Sequence, residues 1–109
     1  RFHKDSEFGH PEEEDNFFLP LTPALNTNTM WVETKPDKED YKPMNCTYGE
    51  IVKWKGSKLS HGNKINKEKK TRVSLDFRIL PVKDYVENNN TSINLNLAFK
   101  NGGYYKLCK

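Results

Sequence analysis

Hydrophobic and polar positions alternate with a period of two in every convincing periodic stretch of this chain, and no segment sustains a helical period. The alternation predicts strands over 1–5, 15–22 (DNFFLPLT), 29–34 (TMWVET), 48–54 (YGEIVKW), 57–61, 71–80 (TRVSLDFRIL) and 92–100 (SINLNLAFK). After the last of these, Asn101-Gly102-Gly103 accepts positive φ and predicts a hairpin turn into a short closing strand, YYKLC. Between strands, GHPEEE, the Pro/Asp/Lys-rich 35–46 and the Asn-rich 87–91 read as loops. Many short strands joined by such loops give an all-β chain, a sandwich or jelly-roll barrel.

The 71–80 stretch separates into two faces: Val73, Leu75, Phe77 and Ile79 on one, Arg72, Ser74, Asp76 and Arg78 on the other. Periodicity alone puts the apolar set inward and the polar set in water. Burial of the Arg72 head group distinguishes this from the reverse arrangement.

Length and composition narrow the picture. A chain of 109 residues is one domain with one core, small for an enzyme. Charged residues make up 30%, yet 6 Phe, 5 Tyr and 2 Trp are more aromatics than a disordered segment carries. The net charge of +3 hides an asymmetry, since residues 1–50 hold 5 Lys/Arg against 11 Asp/Glu and residues 51–109 hold 13 against 4. The basic run Lys64, Lys67, Lys69 and Lys70 has no interleaved aromatics, which argues for a solvated loop and against nucleic acid. Cys46 and Cys108 form neither a metal spacing nor a disulfide framework, and Trp31 and Trp54 are read as core. No apolar run approaches the ~20 residues of a membrane helix, so neither membrane nor nucleic acid is expected as a partner, and a cytoplasmic setting is. Asn45-Cys46-Thr47 and Asn90-Thr91-Ser92 match the glycosylation acceptor pattern, which chance supplies in a chain with twelve Asn.

Chemistry enters through a spaced polar set: H-x-D at His3 and Asp5, 55 residues, His61, ten residues, then R-x-S at Arg72 and Ser74. Two imidazoles and one carboxylate are the ligands that hold non-haem Fe(II) on one face and leave other positions open. A guanidinium fork beside a hydroxyl suits the carboxylate of a small acid. On an extended strand His3 and Asp5 share a face, with Lys4 turned away, while Gly62 lets backbone approach His61 closely.

On these residues the chain resembles the Fe(II)/2-oxoglutarate-dependent dioxygenases. The stretch HGNKINKEKKTR, with Asn66 five residues after His61 and Arg72 eleven after, is most similar to their phytanoyl-CoA dioxygenase-like branch. The resemblance covers roughly residues 2–85. It implies a double-stranded β-helix, a jelly-roll or cupin-like barrel, over 1–85, with 86–109 as a C-terminal hairpin packed on it. It implies His3, Asp5 and His61 as Fe(II) ligands, 2-oxoglutarate as cosubstrate with its far carboxylate on Arg72 and Ser74, and O2 as oxidant. The activity it implies is hydroxylation of an unactivated C–H bond in a small-molecule substrate. Arg72 and Ser74 then point into the barrel mouth. Asn16, Asn28, Trp31 and Asn66 are second-rank pocket residues, placed beside the motif strands. Elements that usually precede the first ligand are expected to be missing, as in a fragment or trimmed core.

Three other readings compete. His10 with Glu12, Glu13 or Glu14 offers a rival cupin-like ligand set, although Pro11 breaks the strand and His10 is better placed in a rim loop. The His/Asp set could serve a metal-dependent isomerase or hydrolase without the acid cosubstrate. A jelly-roll binding module with no chemistry is the third.

Overall fold

The computed structural model describes residues 2–88, 90–92 and 96–108. They form an all-β unit of six short strands: β1 (Asp15–Pro20), β2 (Met30–Val32), β3 (Lys42–Pro43), β4 (Val52–Trp54), β5 (His61–Asn63) and β6 (Ser74–Ile79). Three single 3₁₀ turns, Asp5–Phe8, Asn26–Asn28 and Val82–Asp84, supply the helical content. No helix among the described residues is long and apolar enough to cross a membrane.

The strands make two antiparallel sheets, ordered β4-β1-β6 and β3-β2-β5. In β1 the alternation holds residue by residue: Asn16, Phe18 and Pro20 are buried, while Asp15, Phe17 and Leu19 are half-exposed. Phe18 in the first sheet and Met30 and Val32 in the second belong to one cluster with Ala24 and Cys46. Met44, Val52, Trp54 and Leu59 pack against it, so the two sheets meet through their inner faces. A backbone bridge between Ala24 and Cys46 ties the loops beside this core, and Cys46 is buried there as a free thiol.

Register places the chemistry. Phe17 lies opposite Phe77 and Asn16 opposite Arg78, so the face of β6 that looks at the core side of β1 is the polar one. The apolar set is the exposed set, with Val73, Leu75, Phe77 and Ile79 at 50, 53, 41 and 50%. The expectation from periodicity, apolar in and polar out, is therefore reversed. The cause is partnering: Arg78 meets a buried carboxylate on the inner side, while Phe77 stacks on Phe17 on the outer side with ring centroids 5.0 Å apart. Arg72 is half-buried, its guanidinium 5.6 Å from the Phe18 ring centre.

Several strand expectations need correction. Of the expected 1–5 strand, residue 1 lies outside the described residues and 2–5 do not run as a strand: Lys4 is extended, Asp5 opens a 3₁₀ turn, and a left-handed Gly9 at φ +90 closes it. The 57–61 stretch is mostly a turn, and pairing begins at His61. The expected 35–46 loop contributes β3, paired to β2 through Trp31 and Pro43. In place of a 92–100 strand, Thr91 bridges Ala98 as the segment folds back on itself; residues 93–95 lie outside the described residues. No closing strand forms from YYKLC, because Asn101 bridges Tyr105 locally. Trp31 is not core: it is half-exposed, donates its indole N–H to Asn26 O at 3.0 Å, and carries Lys64 Nζ 3.6 Å above its ring.

One buried acid organises the entry to β5. The Glu33 carboxylate, 2% exposed, accepts the backbone N–H groups of Ser60 (2.7 Å), Glu39 (3.1 Å) and Asp37 (3.2 Å). Asp37 and Glu39 hold positive φ, and those hydrogen bonds fix the loop that needs it. Ser60 precedes His61, so this anchor helps set the position of His61.

Candidate metal centre

His61 begins β5, and an isolated antiparallel bridge sets His3 directly beside it: His3 N–H donates to His61 O at 3.0 Å and His61 N–H to His3 O at 2.9 Å. Residues paired in this way project side chains to the same face, and the two imidazoles lie 4.7 Å apart. Asp5 arrives from the 3₁₀ turn just after His3. Its backbone N–H is held by Gly56 O at 2.9 Å, which aims the carboxylate between the two rings.

The donor atoms converge. His61 Nε2 is 3.2 Å and His3 Nε2 3.5 Å from the same Asp5 oxygen, Oδ1, and one ligand atom from each of the three residues falls within 4.8 Å of the others. Neighbouring ligands about 2.1 Å from an octahedral ion are about 3.0 Å apart, so these spacings suit a facial N,N,O set with little rearrangement. His61 Nδ1 sits 2.8 Å from Leu59 O, a carbonyl that only accepts. Nδ1 therefore carries a proton, and Nε2 is the nitrogen that faces Asp5 Oδ1, where a bound cation would take the place of the hydrogen bond between them.

Asp5 is 3% exposed, and its two oxygens have separate duties. Oδ2 accepts Asn16 Nδ2 (3.0 Å) and Arg78 Nη2 (3.0 Å) and Nε (3.3 Å). Oδ1 is left to the imidazoles. Burial alone pushes this carboxyl up; the His61 hydrogen bond, the Arg78 charge and Asn16 outweigh it and hold Asp5 well below the ordinary carboxylate range. An ionised carboxylate is the form a cation needs.

The remaining candidates fall around this point. Asn16 serves Asp5 rather than a cosubstrate, and its Oδ1 accepts Gly56 N–H at 3.2 Å. Arg72 Nη1 donates to Asn63 Oδ1 (3.2 Å) and Asn28 O (3.3 Å), leaving Nη2 and Nε without a hydrogen-bond partner among the described residues. Asn63 follows His61 by two on β5. Ser74 pairs with Pro20 in the ladder, and its hydroxyl makes no hydrogen bond among the described residues. Asn66 is exposed, with its amide spent on its own loop through Lys70 O and Glu68 N–H, so it is not delivered to the centre. Asn28 is buried as a turn residue, accepting Leu25 N–H at 2.7 Å.

The rival set resolves into a different structure. His10 lies in a loop, where it packs 4.6 Å from the Phe99 ring and contacts Glu14 through Nδ1 at 2.9 Å. Glu14 is fully buried and also receives the Tyr105 hydroxyl and Arg78 Nε. Glu12 and Glu13 are exposed and lie apart from this cluster.

Sequence reading missed Gly56 and the parts Arg78 and Trp54 play beside this centre, and it offered Glu14 only as a rival ligand; Trp54 does pack against the core, as expected. Trp54 sits edge-on to His61 at 4.6 Å, and its indole N–H is buried without an acceptor among the described residues. Such a group costs about 1–3 kcal/mol, which a bound acceptor offsets. Arg78 was findable, since it stands six residues after Arg72 on the same strand face. Gly56 and Trp54 carried no such signal.

No family profile and no solved structure matches the chain. It is 38% identical over 104 residues to a curated relative, the streptomycin biosynthesis protein StrG of Streptomyces griseus. That alignment takes in 95% of this chain and 49% of the relative, so the chain spans about half the length of the curated relative it matches.

Proposed function

We propose that this chain carries the metal centre of an Fe(II)- and 2-oxoglutarate-dependent dioxygenase that hydroxylates a small molecule. The two facing sheets are then part of a double-stranded β-helix. The observation that carries the reading is the convergence of His3 Nε2, Asp5 Oδ1 and His61 Nε2, with the opposite edges of Asp5 and His61 tied to protein. The relative's name, a streptomycin biosynthesis protein, supports a role in making a small molecule.

The donor set fits Fe(II), being two neutral nitrogens and one carboxylate oxygen on one side of a point. Iron bound there supplies the redox chemistry that couples oxygen and 2-oxoglutarate consumption to C–H hydroxylation, with succinate and CO2 as co-products. The protein's share is position and water exclusion. Asn63, which Arg72 touches, lies two residues from His61, or ~6.6 Å along an extended strand. That is close to the length of a five-carbon diacid, so the open edge of Arg72 and the Ser74 hydroxyl can take the far carboxylate. Trp54 beside His61 and Phe8, 5.0 Å from His3, cover the imidazoles with apolar surface.

Succinate release by the intact protein on adding Fe(II), oxygen and 2-oxoglutarate tests the activity. Arg72→Ala should weaken Mn(II)-dependent binding of 2-oxoglutarate, measured calorimetrically, by about 30-fold or more while leaving Mn(II) binding intact. Absence of both metal binding and succinate contradicts the reading. Arg72 already bonds Asn28 and Asn63, which favours a second reading in which it is structural and the centre serves a metal-dependent isomerase or hydrolase. In that case Arg72→Ala leaves a metal-dependent activity and the parent binds no 2-oxoglutarate.

A further inference from the structure

The non-ligand side of Asp5 opens onto a buried ionic network that reaches the far end of the chain. Arg78 lies at its centre. Its Nη2 and Nε hold Asp5 Oδ2 at 3.0 and 3.3 Å, Nε also faces Glu14 Oε1 at 3.3 Å, and Nη1 donates to the Tyr104 hydroxyl at 3.2 Å. Glu14 is in turn held by His10 Nδ1 and by the Tyr105 hydroxyl. Both tyrosines belong to the C-terminal segment, where Tyr104 N–H donates to Ala98 O at 2.7 Å and the rings of Tyr104 and Phe99 pack 5.0 Å apart.

Two physical points give this network a function. A carboxylate with one oxygen fixed by a guanidinium binds a cation through the other oxygen alone, in one orientation. A guanidinium that close also repels the cation, and the fully buried Glu14, which meets the same Arg78 Nε, offsets that charge. Arg78 thus orients Asp5 without leaving an uncompensated positive charge behind the centre. Packing alone needs no charged pair here, since replacing a buried pair with apolar residues is often neutral for stability.

We propose that Arg78, held by Tyr104 and neutralised by a Glu14 that Tyr105 holds, is a positioning residue that fixes Asp5 as a single-oxygen ligand, so that residues 98–105 are part of the metal centre. The inference rests on the reading of His3, Asp5 and His61 as a cation site. It needs no particular metal or cosubstrate.

The test uses the whole chain, Mn(II) affinity, and the visible absorption of the Co(II) form, which reports the ligand set and which a merely structural role leaves unchanged. Arg78→Met should weaken Mn(II) binding by about tenfold or more and alter the Co(II) spectrum, and Arg78→Lys should restore part of both. Tyr104→Phe keeps the ring and removes only the hydroxyl, so it tests the same link even if Arg78→Met does not fold; it should weaken Mn(II) binding by about threefold. Mn(II) affinities within twofold of the parent and unchanged Co(II) spectra in Arg78→Met and Tyr104→Phe overturn the inference while the metal site stands. A response to Arg78→Met but not to Tyr104→Phe overturns the part assigned to the C-terminal segment. A parent chain that binds no Mn(II) overturns the metal-site reading and this inference together.

Discussion

Asp5→Asn should abolish cation binding and destabilise the fold. Removing a ligand costs more than the ~10–100-fold lost with an outer partner, so Mn(II) affinity should fall by well over 100-fold. The stability term has a separate origin. Asp5 is buried among Arg78, Asn16 and two imidazoles, and neutralising it strips Arg78 of one of its two carboxylates. Breaking a buried pair typically costs 3–5 kcal/mol, and because Glu14 remains, a loss of about 3 kcal/mol is expected. The pH dependence has a definite sign. Asp5 is held below its ordinary value in the fold, so its contribution is complete above the normal carboxylate range and fades as pH falls through and below it. Denaturant unfolding of the metal-free proteins should show the widest gap between parent and variant near neutral pH, closing towards pH 2. A gap that is constant across this range contradicts the assignment.

Gly56→Ala is the second large effect, from a single methyl group. A Cβ there falls 2.4 Å from Asn16 Nδ2, 2.7 Å from Asp5 Oδ2 and 2.9 Å from Asn16 Cγ. Neither side chain can yield, because the backbone of Gly56 itself bonds both residues, donating to Asn16 and accepting from Asp5. Overpacking costs about 1–3 kcal/mol, and loss of the Asn16 hydrogen bond to a charged group adds about 1.5–3 kcal/mol. Thermal unfolding should show a drop of about 10 °C or more, and Mn(II) affinity should fall by about tenfold as Asp5 is displaced. Lys58→Ala, in the exposed part of the same turn, should change neither; equal behaviour of the two variants contradicts the packing argument.

The all-β character was legible because β1 and β6 alternate cleanly, and a period of two survives any tertiary arrangement. The inner face of β6 was not legible from periodicity. Arg72, Ser74 and Arg78 face inward while Asp76 stays exposed, because Asp5 and Glu14, distant in sequence, need Arg78 there, and alternation carries no sign for which face is buried. Residues 2–5 and 57–61 failed as strands because a carboxylate and a glycine turn replace regular pairing around the centre. His3, Asp5 and His61 were legible because chemistry restricts the residue types, while their placement depends on a backbone bridge that no local pattern announces. The network joining Arg78, Glu14, Tyr104 and Tyr105 was hidden because a buried ionic network looks, in sequence, like scattered surface polarity.

The central claim is spatial, and crystals of the intact protein grown with Mn(II) test it most directly through anomalous scattering at the manganese edge. The account predicts one peak per chain, roughly 2.0–2.3 Å from His3 Nε2, Asp5 Oδ1 and His61 Nε2, with Arg78 still on Asp5 Oδ2. A structure with no peak between those three side chains, or with Asp5 turned wholly to Arg78 and the imidazoles apart, contradicts it.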